Sequence, residues 1–427
     1  MSTAHTLSAA QARDARDPLA AFRARFALPL AARGEPLTYL CGHSLGLLPL
    51  AARERVMEEL DEWALLAVQA HEQGRRPWVP YHENLTAGLA ALTGARADEV
   101  VAMNSLTVNL HLMLASFYRP QGKRTRILIE AGAFSSDRHA LTSQIAWHGL
   151  DPETTLLELA PAAGAATVPE EAIEDCLIRH GAEIALVLWP GVQFRTGQAF
   201  DIARIACAAH AAGCIAGFDL AHSVGNTPLA LHAAEADFAV WCSYKYLNGG
   251  PGAIGGCFLH QRHSDAQPRT SHGGTLPGVR LAGWWGHEEP TRFLMEPQFR
   301  AAAGAADRIG GLLIASLSIF LEAGMERLRE KSVALTGFLE ELLRPLQPTV
   351  QILTPRDPAR RGCQLSLRLA GGEHRGKQVF DALAAHGVVC DWRSPDIIRV
   401  APVPLYNRFE DAWRFARALR DTLQASA

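Results

Sequence analysis

From Val100 onward the chain alternates short apolar runs with stretches in which apolar positions recur every three or four residues. EVVAM, RILIE, LLEL, EIALVLWP, CIAGFD, DFAVWCS and AIGGCFLH each read as a strand. Most are apolar at consecutive positions, the pattern of strands covered on both faces. Between them LTVNLHLMLASFY, AFSSDRHALTSQIAWHG, Pro169 to His180 and Asp201 to Ala212 read as helices. Asn104 and Ser105 suit the cap of the first, and Ser135, Ser136 and Asp137 that of the second. Strands alternating with helices predict an α/β fold, a mostly parallel sheet flanked by helices. A ligand then belongs at the carboxyl ends of the strands.

Outside this stretch the pattern changes. Residues 1–50 read as an N-terminal arm, with a short helix from Asp17 to Phe26 and turns at Gly42 and Gly46. Val56, Leu60, Trp63 and Leu66 place an amphipathic helix from Ala51 to Gln73, stopped by Gly74 and Pro77. Residues 261–283 read as a loop. After two helical patterns, Leu312 to Ala323 and Met325 to Leu343, the strands TVQILT, CQLSLRL, VVCD and IIRVAP surround a helix near Lys377 to His386, and a last helix starts at Asn407. This predicts a large α/β domain over residues 51–310 and a smaller α+β domain over residues 311–427.

Composition excludes several classes. The chain has 427 residues, 48% hydrophobic and 20% charged, and a formal net charge of −3. Without a basic block, nucleic acid and anionic membranes are not expected partners. No apolar run approaches the length that spans a bilayer. The eight cysteines are scattered, with no pair at a metal-binding spacing, so no metal site is expected. These features point to a cytoplasmic protein.

The chemistry concentrates at the predicted strand ends. Asp219 closes one apolar run, His222 follows it, and a second run leads into Tyr244 and Lys245. A lysine past a buried strand loses hydration and becomes a nucleophilic amine; otherwise it reaches solvent. A buried lysine with a buried carboxylate is what pyridoxal 5′-phosphate (PLP) chemistry needs. Asn104 to Thr107 sit where a strand meets a helix N-terminus, with Leu106 and Thr107 as donors to a phosphate or as plain first-turn residues. Phe134 fits either the core or the face of a flat ring. Trp284 and Trp285 fit either the core or a ligand cover. His71 suits either a helix C-terminus or a substrate contact. Arg399 suits either a strand salt bridge or a fork for a carboxylate.

With these residues placed, YLCGHSLGL, HEQGRRPW, MNSLTVNLHLML, FDLAHSVGN, WCSYKYLN, GWWGHE, RGCQLSL and IRVAPVPLYN make the chain resemble the kynureninase family, fold-type-I PLP enzymes. The likeness runs from Tyr39 to Leu423. It implies a seven-stranded sheet, a homodimer with shared active sites, and hydrolysis of kynurenine or its 3-hydroxy form. It implies that Lys245 carries PLP, that Asp219 pairs with the pyridine nitrogen beside His222, and that Phe134 stacks on the ring. Leu106, Thr107 and Tyr244 hold the phosphate, with Ser135, Ser136 and Asp137 close to the cofactor. Trp284 reaches in from the partner subunit, Arg399 takes the substrate carboxylate, and His71 lies beside the substrate ring. Lys245, Tyr244 and Asp219 form the catalytic set. Two positions depart from the family pattern: Pro190 stands for a hydroxyl residue, and Gly311 for a substrate-facing Asn or Thr. Another PLP reaction, such as aminotransfer or cysteine desulfuration, and a PLP-binding protein without catalysis remain alternatives.

Overall fold

The computed structural model describes residues 5–263 and 311–425. Trp284, Trp285 and the loop from Ser264 to Gly278 lie outside the described residues. The strands, in chain order, are β1 (Thr38–Tyr39), β2 (Val100–Ala102), β3 (Arg126–Glu130), β4 (Leu156–Leu159), β5 (Ile184–Pro190), β6 (Ile215–Asp219), β7 (Phe238–Trp241), β8 (Gly256–Leu259), β9 (Val350–Ile352), β10 (Leu365–Leu369), β11 (Val388–Val389), β12 (Asp391–Arg393) and β13 (Ile397–Val400).

Seven of them form one sheet in the order β2-β8-β7-β6-β5-β3-β4. Every pair is parallel except those made by β8, which runs antiparallel to β2 and β7. Alternate residues feed two cores. Leu128, Val187, Trp189, Ala216 and Phe218 enter one, while Ile127, Ile129, Leu186 and Leu188 enter the other. That division is why the strands read as unbroken apolar runs. The helices Leu106–Phe117 and Ile202–Ala211 are capped by Ser105 and Asp201, whose side chains accept from the amides of Val108 and Arg204.

A second, four-stranded antiparallel sheet has the order β12-β13-β10-β9 and its own core under the helices Met325–Leu343, Gly372–Ala385 and Phe409–Ala425. The helix Gly311–Ala323 was expected with this smaller unit. Leu313, Leu317, Ile319 and Phe320 instead join the first core, and the helix packs on the helices Ala51–Leu66 and Glu83–Thr93.

Three local readings change. The helix expected through Gln73 ends at Leu66, where Ala67 takes a φ of 49°, and a 3-10 turn carries on to His71. The chain is drawn back there because Glu59 accepts from Arg76 Nε (2.7 Å), Trp78 Nε1 (3.1 Å) and the Tyr81 hydroxyl (3.1 Å). The arm holds a helix at Leu7–Asp14 and a 3-10 turn at Ala20–Arg25 in place of one helix from Asp17. The helix Glu83–Thr93 was not anticipated; it buries Leu85, Leu89 and Leu92.

Candidate active site

The carboxyl ends of β3, β5 and β6, the segment after β7, and two helix N-termini enclose an open cavity of about 730 Å³. Its walls include Leu106, Thr107, Phe134, Ser136, Asp137, Pro190, Asp219, His222, Tyr244 and Lys245. That figure includes space open to solvent; the lining of apolar walls with a few polar groups is the make-up of a small-molecule site.

One end is built for an anion. The helices Leu106–Phe117 and Ser135–Trp147 both begin at the cavity, and their free amide ends favour negative charge. Thr107 Oγ1 and Ser136 Oγ lie 3.1 Å apart at that place. Gly255 backs the first helix: a Cβ there would stand 3.1 Å from the Leu106 amide nitrogen and 2.8 Å from the Trp241 carbonyl. Ser135 is exposed as the first residue of its helix and is absent from the cavity wall, so Ser136 supplies the hydroxyl.

The other end is acidic. Asp219 closes β6, opposite Pro190 in the register, and its Oδ1 accepts from the Ala221 amide at 2.7 Å. Asp137 is buried beside it; burial, then the Asp219 charge and a hydrogen bond between the two, pushes the Asp137 carboxyl well above the ordinary range. Asp137 therefore favours its protonated form beside Asp219. Glu130, at the end of β3, is also buried in the wall, and burial pushes its carboxyl up to about 8.

Lys245 is 9% exposed, with Nζ 3.1 Å from His222 Nε2 and 5.7 Å from the centre of the Phe134 ring. Burial, then the charges of Lys245 and Arg399, holds His222 well below its usual pKa, so the imidazole is neutral and its Nε2 accepts from Lys245 Nζ. His222 Nδ1 is buried without a partner among the described residues. Burial also raises the Tyr244 phenol, which keeps its proton. The lysine segment is held by the arm: the Gly46 amide donates to the Tyr244 carbonyl at 2.8 Å, and a Cβ on Gly46 would collide with the Lys245 carbonyl and Asn248.

Arg399 is fully buried on β13, behind the cavity wall. Its Nη1 donates to the Phe194 carbonyl at 2.6 Å, and the Phe194 ring stands edge-on to Phe134 at 5.3 Å. Burial lowers the guanidinium to about 10, still charged at neutral pH. Within one chain His71 is not part of the wall; it packs edge-on against Trp78 at 5.6 Å. Gly311 opens the helix that lies on Ala51–Leu66.

Sequence reasoning missed His43, Glu130, Gln193, Phe194 and Asp391. The glycines of GHSLG marked a tight turn at His43, and Glu130 ends an apolar run just as Asp219 does. Gln193 Oε1 accepts from the Arg195 and Thr196 amides, shaping the turn that presents Phe194.

At the opposite end of the sheet Glu99, His232 and His260 bring ligand-type atoms within 4.8 Å of one another. These groups are already engaged: Glu99 accepts from the amides of Arg96 and Gln261 and from His232 Nδ1, and His260 Nδ1 accepts from the Arg262 amide.

Residues 328–419 match the family model described as the kynureninase C-terminal domain. The chain is 55% identical over 413 residues to the kynureninase of Xanthomonas campestris pv. campestris (strain B100), covering 95% of each. It is 54% identical over 424 residues to that of Xanthomonas euvesicatoria pv. vesicatoria (strain 85-10), covering 97% of each. Among solved structures it resembles the Escherichia coli cysteine desulfurase CsdA (TM-score 0.72, 18% identity, 95% of this chain and 98% of that one). It also resembles a C-DES mutant with glycine covalently linked to its PLP cofactor (TM-score 0.71, 19% identity, 90% and 96%). These two likenesses concern the fold. Identity above half along nearly the whole length concerns the family as well: the chain belongs to the kynureninase family.

Proposed function

We propose that this chain hydrolyses L-kynurenine to anthranilate and L-alanine, with PLP held in the cavity around Lys245. The observation that carries the reading is the meeting of Lys245, the Asp137–Asp219 pair and two helix N-termini on one cavity. The residues fit the cofactor. The two N-termini with Thr107 and Ser136 suit its phosphate. The carboxyl pair suits a protonated ring nitrogen. Phe134, 39% exposed on the wall, suits a flat ring.

When bound, PLP supplies a carbonyl carbon that links to amines and a ring that accepts electrons. Lys245 Nζ would hold the cofactor through that carbon and, as a free amine, would take the substrate's α-proton. His222 Nε2 receives the hydrogen of Lys245 and keeps the amine aimed into the cavity. Asp219 holds the ring-nitrogen proton. Arg399 orients the substrate carboxylate, with Phe194 linking it to the ring-stacking Phe134. Tyr244 keeps its hydroxyl proton for delivery to the reacting carbons. One water is consumed: its oxygen becomes part of the anthranilate carboxyl, and a proton closes the alanine methyl group.

The test is incubation of the PLP-loaded protein with L-kynurenine and detection of anthranilate and alanine in equal amounts. Absence of both, with release of sulfur from cysteine, would replace this reading by cysteine desulfuration. We extend the substrate range to 3-hydroxykynurenine, because glycine at position 311 offers no side chain to discriminate the ring; Gly311→Asn shifts the ratio of kcat/KM for the two substrates.

We also infer a homodimer in the cytoplasm, and a division of the chain into its two units near Gly324. The dimer is supported by exposed apolar residues following one another along the segment next to the arm: Trp63 is 61% exposed, Leu65 82% and Val68 75%. His71 follows on this segment, so its place beside substrate belongs to the assembled dimer. Trp63→Glu is expected to shift the sedimentation coefficient to that of a single chain; an unchanged dimer overturns this choice of face.

A further inference from the structure

Asp391 is the direct cross-strand neighbour of Arg399 in the β12–β13 pair. Its Oδ2 meets four groups: Arg399 Nη2, Arg393 Nη2 at 3.1 Å, Arg393 Nε at 3.2 Å and His43 Nε2 at 3.4 Å. His43 is fully buried, and neither of its ring nitrogens has a hydrogen bond among the described residues. Burial, then the charges of Arg399, Arg393 and Lys245, holds it well below its usual pKa, so it adds no charge. Two guanidiniums and one carboxylate leave this cluster with one positive charge, matched to one further carboxylate.

The geometry is that of an occupied carboxylate site. Arg399 has no exposed surface, its Nε and Nη2 make no hydrogen bond among the described residues, and the group ion-paired with its fork is a carboxylate. A substrate carboxylate reaches Arg399 only if Asp391 gives way. Two features let it do so. β12 is the edge strand of its sheet, free on one side to shift. Arg393, with 37% of its side chain exposed, already holds the same oxygen and keeps Asp391 paired after Arg399 is taken.

We propose that Asp391 stands in for the carboxylate of an amino-acid substrate, holding Arg399 in place until the substrate displaces it and then remaining with Arg393. Asp391 and Arg393 are positioning residues: they act through Arg399 and set the affinity for α-amino acids with a free carboxylate. The proposal rests on the reading of Arg399 as the carboxylate site.

The test uses the PLP-loaded enzyme, with L-alanine and L-alaninamide as probes of binding by visible absorbance titration and L-kynurenine for kinetics. Asp391→Asn removes the internal competitor, so the Kd of L-alanine and the KM of kynurenine fall about tenfold while alaninamide binding stays the same. Arg393→Gln leaves Asp391 to Arg399 alone, so both constants rise about tenfold, again without effect on the amide. The double variant behaves as Asp391→Asn, because Arg393 acts only through Asp391. A purely structural ion pair would give two losses of the same sign. The proposal is overturned if Asp391→Asn weakens L-alanine binding. Should that variant fail to fold, Arg393→Gln decides alone: unchanged affinity for L-alanine overturns it. Arg399→Gln separates the two levels. If it leaves the preference for alanine over alaninamide intact, the carboxylate reading of Arg399 fails first. If it abolishes that preference while Asp391→Asn and Arg393→Gln change nothing, only the stand-in role falls.

Discussion

The two ends of the large sheet use the same kinds of side chain in opposite ways. At the end where the parallel strands begin, Asp237 accepts from the Ala216 amide at 2.7 Å, from His210 at 2.9 Å and from His263 at 2.7 Å, and pairs with Arg262. Glu99 is as fully engaged by two amides and His232. At the end where those strands finish, His222 Nδ1 and the Ser243 hydroxyl are buried without partners among the described residues, and Asp137 is pushed toward its protonated form by burial and by Asp219. Hydrogen-bonding capacity satisfied within the chain holds the fold together. Capacity left unsatisfied costs about 1–3 kcal/mol per buried group, a cost that a bound molecule offsets. A cluster of histidines and carboxylates is thus not a site by virtue of its composition; what separates the two ends is how much bonding capacity remains.

The contrast breaks most sharply at Lys245. Lys245→Ala removes the attachment point at the unsatisfied end, and turnover of kynurenine falls by on the order of 10³–10⁴ with loss of the covalent visible band. Its thermal midpoint without cofactor stays near that of the parent, because few contacts of the fold depend on Nζ. A variant with normal turnover removes Lys245 from the reaction.

Asp237→Asn is the mirror experiment at the saturated end. It leaves His210, His263 and Arg262 around a neutral amide, and breaking a buried charged network costs about 3–5 kcal/mol. Stability falls while kcat of the folded fraction is retained, which calorimetry and assays at low temperature measure. Burial opposes the Asp237 charge, but the hydrogen bonds from His210, His263 and the Ala216 amide outweigh it and hold the carboxyl well below its ordinary value. A depressed folded-state pKa stabilises above the unfolded value near 3.9 and is lost as pH falls below it. The parent therefore loses more stability than Asp237→Asn on acidification below that pH. Equal losses would mean that the histidines do not hold the charge.

Glu130 gives the smallest and most specific effect. Its carboxyl is pushed up to about 8 by burial, from an ordinary value of 4.5. A raised folded-state pKa contributes stability that is fully present below 4.5 and is lost as pH rises through about 8. Glu130→Gln keeps the shape and cannot ionise. The cofactor-free variant is expected to match the parent near pH 4.5 and to exceed its melting temperature by a few degrees at pH 8.5. Parallel melting curves for the two proteins across that range would show that Glu130 ionises as freely as in water.

Much of this molecule is written in local pattern. All seven strands of the large sheet are apolar runs whose ends carry Glu130, Pro190, Asp219 and, a few residues later, Lys245, and helix caps at Ser105 and Asp201 stand next to them. Strand periodicity and capping act over a few residues, so a linear reading captures them. The same holds for Lys245 and Asp219, to which the proposed chemistry is assigned, because each stands at or just past the end of its own strand.

Tertiary structure decided what depends on residues distant in sequence. The long helix stops at Leu66 because Glu59 draws back Arg76, Trp78 and Tyr81, a contact that no helical pattern contains. The helix Gly311–Ala323 joins the larger core because its apolar face finds partners there. Asp137 keeps its proton because folding first buries it and then sets it against Asp219, 82 positions later in the chain (219 − 137). Arg399 meets Phe194 from a distant part of the chain, the register of β12 on β13 alone puts Asp391 opposite it, and His43 comes from a third part to meet Asp391. Local sequence selects residues able to ionise or donate. Whether each one is charged, paired or left unsatisfied is settled by burial and by neighbours that only the fold brings together.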